Sequence, residues 1–389
     1  MSGVGVGART SFTLSQGGDA ALSLYRETAK RTNDPNIQIE FAKYLLDTPA
    51  SPASASPSPT LNSSQRTLLE EAIFWINRLA RSGQPEACAI KAHWHQKGMY
   101  NMVKSEDKAI ALYGTASKHG HPRAAYRLGE IFERKRSTQK AMQYYTRASS
   151  QNDALANLRL GKAHLWGELK LTRDYNAALR YLRRASEAAV ESDIESHEAP
   201  FLLAQLIGDL HPMIRLPGDL LAHDPAGAFT QFERAAELGH PQAMFELAYA
   251  YEYACLGLEF PEPDLSINWY RRAADKGNAE AMIGLSGWYL TGLEGVLLPD
   301  DSLAFEWCRR AAEEQHLPKA EYALGYYYEV GAGIDADPAT AQKWYELAAQ
   351  HGSRDAKFRL QKSTSQVRKS DYGSVKLKKH KKGRDCIVM

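Results

Sequence analysis

The sequence predicts an all-α protein: an α-solenoid of helix-turn-helix repeats with a disordered basic C-terminal tail. Two short motifs alternate along the chain at helical spacings, glycine and proline recur at the joints between them, and lysine and arginine crowd the segment beyond the last copy. Composition alone, 44% hydrophobic and 24% charged over 389 residues, is ordinary for globular proteins and leaves the fold open, so the repeat has to decide it.

The first motif is a small residue, three variable positions, a large apolar residue and a small one: Ala124 to Leu128 and Gly129, Ala156 to Leu160 and Gly161, Ala320 to Leu324 and Gly325. Looser copies start at Ile37, Ala87, Ala199, Ala243, Ala281 and Ala356. The second motif is Ala, an aromatic or large apolar residue three later, then a small pair, as in Ala304, Trp307, Ala311, Ala312 and Ala341, Trp344, Ala348, Ala349. It recurs at Ala21, Ala72, Ala109, Ala141, Ala178, Ala228 and Ser266, giving nine copies of each kind in alternation. Steps of 3, 4 and 7 are helical periods, so each motif marks one amphipathic helix. The small positions allow close helix approach, and the Trp, Tyr or Leu of the second motif is expected to fill the gap between neighbours.

Along the chain, residues 1–18 read as a short disordered N-terminus and 19–47 as the first repeat helices. Residues 48–64, TPASPASASPSPTLNSS, form a Pro/Ser/Ala linker that cannot build a core. Residues 65–361 carry the solenoid. Its joints contain His119-Gly120-His121-Pro122, Leu238-Gly239-His240-Pro241 and Lys276-Gly277-Asn278 between repeats, and Gly331, Gly333, Asp337 and Pro338 within one, all helix stop and start signals. Residues 208–226, with three prolines and two glycines, predict a long loop inside the fifth repeat, a length that marks either a binding loop or a disordered one. Residues 362–389 form the polybasic tail.

The string Ala-x-x-x-Leu-Gly-x-x-Tyr, Gly-x-Gly-Ile, Asp, Ala-x-x-Trp-Tyr-x-x-Ala-Ala-x-x-Gly in 320–352 resembles the Sel1-like repeat, a TPR-like helix pair. Residues 19–361 more specifically resemble the fungal chitin synthase activators, prenylated Sel1-repeat regulators. The strings that carry this are NDPNIQIEFAKYLL (33–46), LAYAYEYACLGLEFPEPDLSINWYRRAADKG (247–277), LSGWYLTGLEGVL (285–297) and AEYALGYYYEVGAGI (320–334). Members of that family usually carry a long low-complexity N-terminal region, whereas here the first repeat helix is expected near Asp19. The repeat from Ala124 also lacks the Gly-x-Gly turn, having ERKRST instead.

Nothing in the chain has the spacing of a catalytic or metal site. His93 and His95 flank Trp94, and residues two apart on a helix point away from each other, so they cannot share a metal. Asp300 and Asp301 precede the helix of Ala304, where acids suit an N-cap. No phosphate loop, nucleophile elbow or HExxH occurs. Neither catalytic residues nor cofactors are expected. The aromatic runs Tyr249, Tyr251 and Tyr253, Trp288 and Tyr289, and Tyr326 to Tyr328 are more suggestive. Adjacent residues on a helix cannot all face one side, so Tyr251, Tyr253, Trp288 and Tyr327 are expected to line a partner-binding groove, with Tyr289 as a core tyrosine; inter-repeat packing is the alternative.

The four cysteines, Cys88, Cys255, Cys308 and Cys386, have no CxxC spacing, which suits a reducing compartment. The N-terminus lacks the apolar stretch of a signal peptide and no segment offers the ~18 consecutive apolar residues of a membrane span, so the repeat body is expected in the cytosol. Residues 368–389 hold eight basic and two acidic residues, leaving the rest of this +2 chain at −4 and without the basic face that nucleic acid requires. The chain ends Cys386-Ile387-Val388-Met389, a CaaX signal whose Met selects farnesyl, so protein farnesyltransferase is an expected partner and Cys386 the lipidation site. Lys376, Lys378, Lys379, Lys381, Lys382 and Arg384 are expected to bind an anionic membrane surface, because one lipid chain alone anchors weakly and each basic residue adds up to ~1 kcal/mol. The resemblance implies a non-catalytic adaptor that binds, activates and localises a chitin synthase at the cytoplasmic face of the plasma membrane, at sites of polarised growth or septation. A farnesylated scaffold for signalling or septum assembly is the competing expectation.

Overall fold

The structure is a computed structural model that describes residues 18–47, 63–217 and 224–366. Eighteen α-helices occur among these residues: α1 (Gly18–Thr32), α2 (Pro35–Asp47), α3 (Ser63–Arg81), α4 (Pro85–Lys97), α5 (Glu106–Lys118), α6 (Pro122–Arg134), α7 (Thr138–Ser150), α8 (Ala154–Trp166) and α9 (Tyr175–Ala188), then α10 (Glu198–Ile207), α11 (Pro225–Glu237), α12 (Pro241–Tyr253), α13 (Pro263–Asp275), α14 (Ala279–Thr291), α15 (Asp301–Gln315), α16 (Pro318–Val330), α17 (Pro338–Gln350) and α18 (Arg354–Gln366). The even-numbered helices carry the first motif and the odd-numbered ones the second. They form two compact units that divide after Asp153. Phe41, Leu45, Ile76, Leu128 and Ile131 centre the core of the first, and Phe232, Met244, Leu285 and Leu324 that of the second.

Within a repeat, the small residue that closes the first motif receives a side chain from the next helix. A Cβ on Gly129 would sit 2.4 Å from the Tyr145 ring, one on Gly325 2.7 Å from Tyr345, and one on Gly161 2.9 Å from Leu182. The inserted residue stands four positions after the Ala of the second motif, not three as expected. Tyr113, Tyr145, Leu182, Phe232, Tyr270, Cys308 and Tyr345 are buried, while Trp269, Trp307 and Trp344, one position earlier, are half-buried at the rim. A step of four keeps the side chain in line with the motif's Ala on the face toward the partner helix, whereas a step of three rotates it outward.

The buried tyrosines need a partner for the hydroxyl, and the same register supplies it. Tyr145 donates to Glu133 at 2.6 Å, Tyr270 to Glu252 at 2.8 Å, Tyr345 to Glu329 at 2.6 Å and Tyr113 to Gln96 at 3.2 Å. All four acceptors stand nine residues after the first small residue of their motif. Where the inserted residue has no hydroxyl, as at Leu182 and Cys308, that position is Leu165 and Leu290. Burial pushes the Glu252 carboxyl above its ordinary range.

Turns follow two rules. From an odd to an even helix the chain usually turns in three residues, whose middle member lies in the left-handed region: Gly120 at φ 84°, Gly239 at φ 101°, and Asn152 at φ 59° in the third such turn. The last turn residue then caps the next helix, with His121 Nδ1, His240 Nδ1 and Asn278 Oδ1 accepting from the amides of Ala124, Ala243 and Ala281. From an even to an odd helix the loop length varies, yet closure is constant. The N-cap amide donates to the carbonyl one residue before the tyrosine acceptor's position: Ser105 to His95, Ser137 to Phe132, Asp174 to His164, Glu262 to Tyr251, Asp300 to Tyr289 and Asp337 to Tyr328.

Two expected boundaries are corrected. Helix α18 runs to Gln366, five residues into the stretch read as tail, because no proline or glycine stops it before Gly373. Helix α3 begins at Ser63, inside the expected linker, because the last proline is Pro59. The remainder of 1–18, 48–64 and 362–389 lies outside the described residues. The ERKRST joint is a three-residue turn in which Arg136 takes the left-handed conformation at φ 56°. In the 208–226 loop, Ile214 and Leu216 are buried and His211 Nδ1 accepts from the amides of Met213 and Ile214, so its described part is packed. His95 is buried with its ring beside the Val103 carbonyl, and Asp300 caps α15 through the Leu303 amide. Among the described residues no group of His, Cys, Asp or Glu could hold a metal ion, and no helix is long and apolar enough to cross a membrane.

Gly287 lies on the exposed face of α14 with nothing within 4 Å of a Cβ, so Gly287→Ala should stabilise by about 0.5–1 kcal/mol, whereas Gly325→Ala, forced against Tyr345, should cost about 1–3 kcal/mol; urea midpoints measure both. His240 stacks on Phe201 at 4.3 Å, and burial holds its pKa down to about 4. A depressed histidine contributes stability that is complete above its ordinary value near 6.5 and is lost as pH falls toward 4. His240→Asn, the cap used at Asn278, should therefore gain about 1–2 kcal/mol on its parent between pH 7.5 and pH 5, allowing for partial exposure. An equal pH dependence in the two proteins would refute this.

Candidate partner-binding surface

The aromatic residues chosen from sequence lie on α12, α14 and α16 of the second unit, and the structure separates them. Tyr327 is 4% exposed; its hydroxyl is 2.8 Å from Ser286 Oγ, which donates to the Ala304 carbonyl at 2.7 Å. Burial pushes the Tyr327 hydroxyl up to about 12. It is a core residue and is withdrawn from the groove, because it stands one turn beyond Leu324 on the buried stripe.

Trp288 occupies the same register in α14 that Tyr327 occupies in α16. It is half-buried and packed on the core, and its indole Nε1 is buried without a hydrogen-bond partner. Tyr289 is also half-buried, so the expected division, with Tyr289 inside and Trp288 facing outward, does not hold. Tyr251 packs edge-on against Phe229 of the preceding helix at 5.5 Å, as Tyr328 does against Phe305 at the same distance. These contacts join one repeat to the previous one. Of the four, Tyr253 is the residue that projects: it is 54% exposed and touches Tyr249 at 4.5 Å.

Tyr253 stands where α12 gives way to its loop, and other projecting apolar residues lie in that loop and at the same joints of later repeats. Phe260 follows in the 254–262 loop, Val296 and Leu298 in the 292–300 loop, and Val330 ends α16; Phe260 is 73% and Leu298 86% exposed. The 292–300 loop is firmly closed. Leu293 and Leu297 exchange two backbone hydrogen bonds of 2.8 Å, Gly292 and Gly295 take positive φ of 68° and 74°, and the Leu293 and Leu297 side chains turn to the core. Val296 and Leu298 are thereby left facing outward. Sequence reasoning missed Phe260, Val296 and Leu298 because it looked for aromatics on helices. The available signal was bulky apolar residues inside EFPEPD and GVLLPDD, loops where turns alone would call for small and polar ones.

The rims of α13 and α15 carry a second missed feature. Arg272 lies over Trp269 at 4.0 Å and Arg310 over Trp307 at 4.5 Å, so these half-buried indoles are covered by cations. The other cysteines are inert by environment: Cys88, Cys255 and Cys308 are buried thiols, and burial pushes Cys308 up to about 12. Cys386, Lys376, Lys378, Lys379, Lys381, Lys382 and Arg384 lie outside the described residues.

The packing role of Trp288 can be measured. Trp288→Ala should cost about 2–4 kcal/mol by leaving a cavity, and Trp288→Phe under about 1.5 kcal/mol because Nε1 has no bond to lose. Full stability of the alanine variant would place the indole outside the packing.

The Sel1 repeat family profile matches residues 85–121, 122–153, 154–190, 214–240, 241–278, 279–316 and 318–353. Chitin synthase regulator SKT5 of Saccharomyces cerevisiae is 31% identical over 384 residues, covering 95% of this chain and 53% of that protein. Chitin synthase regulatory factor 3 of Schizosaccharomyces pombe is 31% identical over 386 residues, covering 96% of this chain and 40% of that protein. The chain thus spans about half or less of the length of these relatives. Among solved structures, a Sel1 repeat protein from Oxalobacter formigenes superposes with a TM-score of 0.52 at 22% identity, covering 89% of this chain and 91% of the other, a likeness of fold.

Proposed function

Since the chain belongs to the Sel1 repeat family and, within it, to the chitin synthase activators, we propose that it regulates chitin synthesis by binding and activating a chitin synthase at the cytoplasmic face of the plasma membrane. The observation that carries this reading is the 31% identity to a protein named as a chitin synthase regulator across 95% of this chain. The Sel1 repeat fold and the regulator names of its relatives mark a non-catalytic repeat protein, so the effect on synthesis is exerted through contact. The exposed apolar residues at the loops of the second unit supply a contact surface held by rigid helices.

Attachment would come from the C-terminus. Farnesylation of Cys386 by protein farnesyltransferase gives a marginal anchor, and Lys376, Lys378, Lys379, Lys381, Lys382 and Arg384 strengthen it on an anionic leaflet. Such a tether raises the local concentration of the repeat body around an integral membrane enzyme at sites of polarised growth or septation.

Purification of the tagged protein from detergent-solubilised membranes should recover a chitin synthase, and addition of the protein to synthase membranes should raise activity. Co-purification of signalling or septum proteins without a synthase would favour a scaffold instead. Cys386→Ser should lower the membrane-bound fraction about tenfold or more while leaving helical circular dichroism unchanged. Replacing residues 376–389 of that variant with an unrelated cytoplasm-facing anchor should restore chitin content. Recovery at the membrane without recovery of chitin would show that the lipid or basic segment acts on the synthase directly.

A further inference from the structure

Helices α12, α14, α16 and α18 alternate with odd helices packed antiparallel to them, so their C-termini emerge at one edge of the second unit. The loops there touch the preceding helix pair. A Cβ on Gly333 would lie 2.1 Å from the Asp301 carbonyl, which brings the 331–337 loop onto the start of α15, beside the 292–300 loop. This edge presents Tyr253, Phe260, Val296, Leu298 and Val330 to solvent.

Its charge is one-sided. Residues 254–262, 292–300 and 331–337 contain no Lys, Arg or His, and they hold Glu259, Glu262, Glu294, Asp300, Asp335 and Asp337. Asp300 and Asp337 are occupied as helix caps. Glu259, Glu262, Glu294 and Asp335 make no ion pair among the described residues, whereas on the neighbouring α15 Glu306 and Glu313 pair with Arg309, and Glu314 with Arg310. An apolar edge with unneutralised carboxylates fits a basic segment carrying interspersed apolar residues.

Such a segment leaves from this same edge. Helix α18 runs parallel to α16 and ends at Gln366, and the chain continues from there into Val375-Lys376-Leu377-Lys378-Lys379-His380-Lys381-Lys382-Gly383-Arg384. Lys376 is ten residues and Lys382 sixteen beyond Gln366, spans of at most about 33–36 Å and 53–58 Å at full extension. Helices pack about 8–10 Å apart, so the 331–337, 292–300 and 254–262 loops, one, two and three even helices back from α18, all fall within that span.

We propose that the apolar, acidic loop edge of the second unit is a docking surface for the chain's own basic C-terminal segment, residues 375–384. Docked there, the segment is withheld from anionic membranes; an anionic leaflet competes for the same lysines and frees the edge for a partner. The contact needs neither the lipid nor the synthase, so it stands or falls apart from the function proposed above.

The test is zero-length carbodiimide crosslinking of the full-length, unlipidated protein at low micromolar concentration, with linked peptides identified by mass spectrometry. Lys376, Lys378, Lys379, Lys381 and Lys382 should link within one chain to Glu259, Glu262, Glu294 or Asp335. The yield of tail-to-edge links should fall about fivefold or more in 0.5 M NaCl, where the Debye length is only about 4 Å. Vesicles containing phosphatidylserine should lower it too, and neutral phosphatidylcholine vesicles should not. Phe260→Ser with Leu298→Ser, which keeps every carboxylate, should also lower the yield. In Glu259→Gln, Glu262→Gln, Glu294→Gln, Asp335→Asn the freed tail should bind the anionic vesicles more tightly, and the gain should vanish when the five lysines are also neutralised. Links spread evenly over carboxylates elsewhere in the chain, links found only between two chains, or no tail links at all would each overturn the proposal.

Discussion

Two helices of a repeat can lie this close because one of them offers no side chain where the other inserts one. Gly129 under Tyr145, Gly161 under Leu182 and Gly325 under Tyr345 leave less than 3 Å for an added Cβ. Close approach fixes the rotation of each helix about its own axis, and that rotation decides everything placed further along it. The tyrosine hydroxyl then meets a carboxylate at one register position, and where the hydroxyl is missing that position turns apolar, as Leu165 and Leu290 do. A buried hydroxyl without an acceptor, or a buried carboxylate without a donor, would cost about 1–3 kcal/mol, so the two positions have to change together.

The same fixed rotation explains why loops of very different length coexist in one array. Each even helix ends with the same carbonyl aimed at the amide that starts the next helix, so Ser137 after three residues and Glu262 after nine close on equivalent bonds. What lies between those ends is free of structural duty. In the second unit that freedom holds Phe260, Val296 and Leu298, exposed apolar groups on a backbone that cannot shift far. The candidate surface is therefore located by the scaffold while its chemistry is set in the loops.

Much of this was legible. The number and alternation of helices, the glycine turns and the Asp300 cap came from spacing, since helical period and capping are local properties that neighbouring residues fix among themselves. The identity of the inserted residue was misjudged by one position. Trp307 and Trp344 are larger than Cys308 and Tyr345, yet size does not determine which side of a helix faces its neighbour. Tyr327 was misassigned for a related reason: within Tyr326 to Tyr328 all three residues look alike, and Ser286, its hydroxyl partner, is 41 residues away.

By itself the sequence determined an all-α repeat array with nine copies of each helix, because the pattern that specifies a helix is written within a dozen residues. It also determined that residues 368–389 hold eight basic and two acidic residues, a charge that needs no fold to be read. Only the tertiary structure decided that Trp288 and Tyr327 face the core while Tyr253, Phe260 and Leu298 face solvent, and that the carboxylates of three separate loops lie along one edge. Burial and juxtaposition are relations between residues tens of positions apart, and they exist only once the helices have packed.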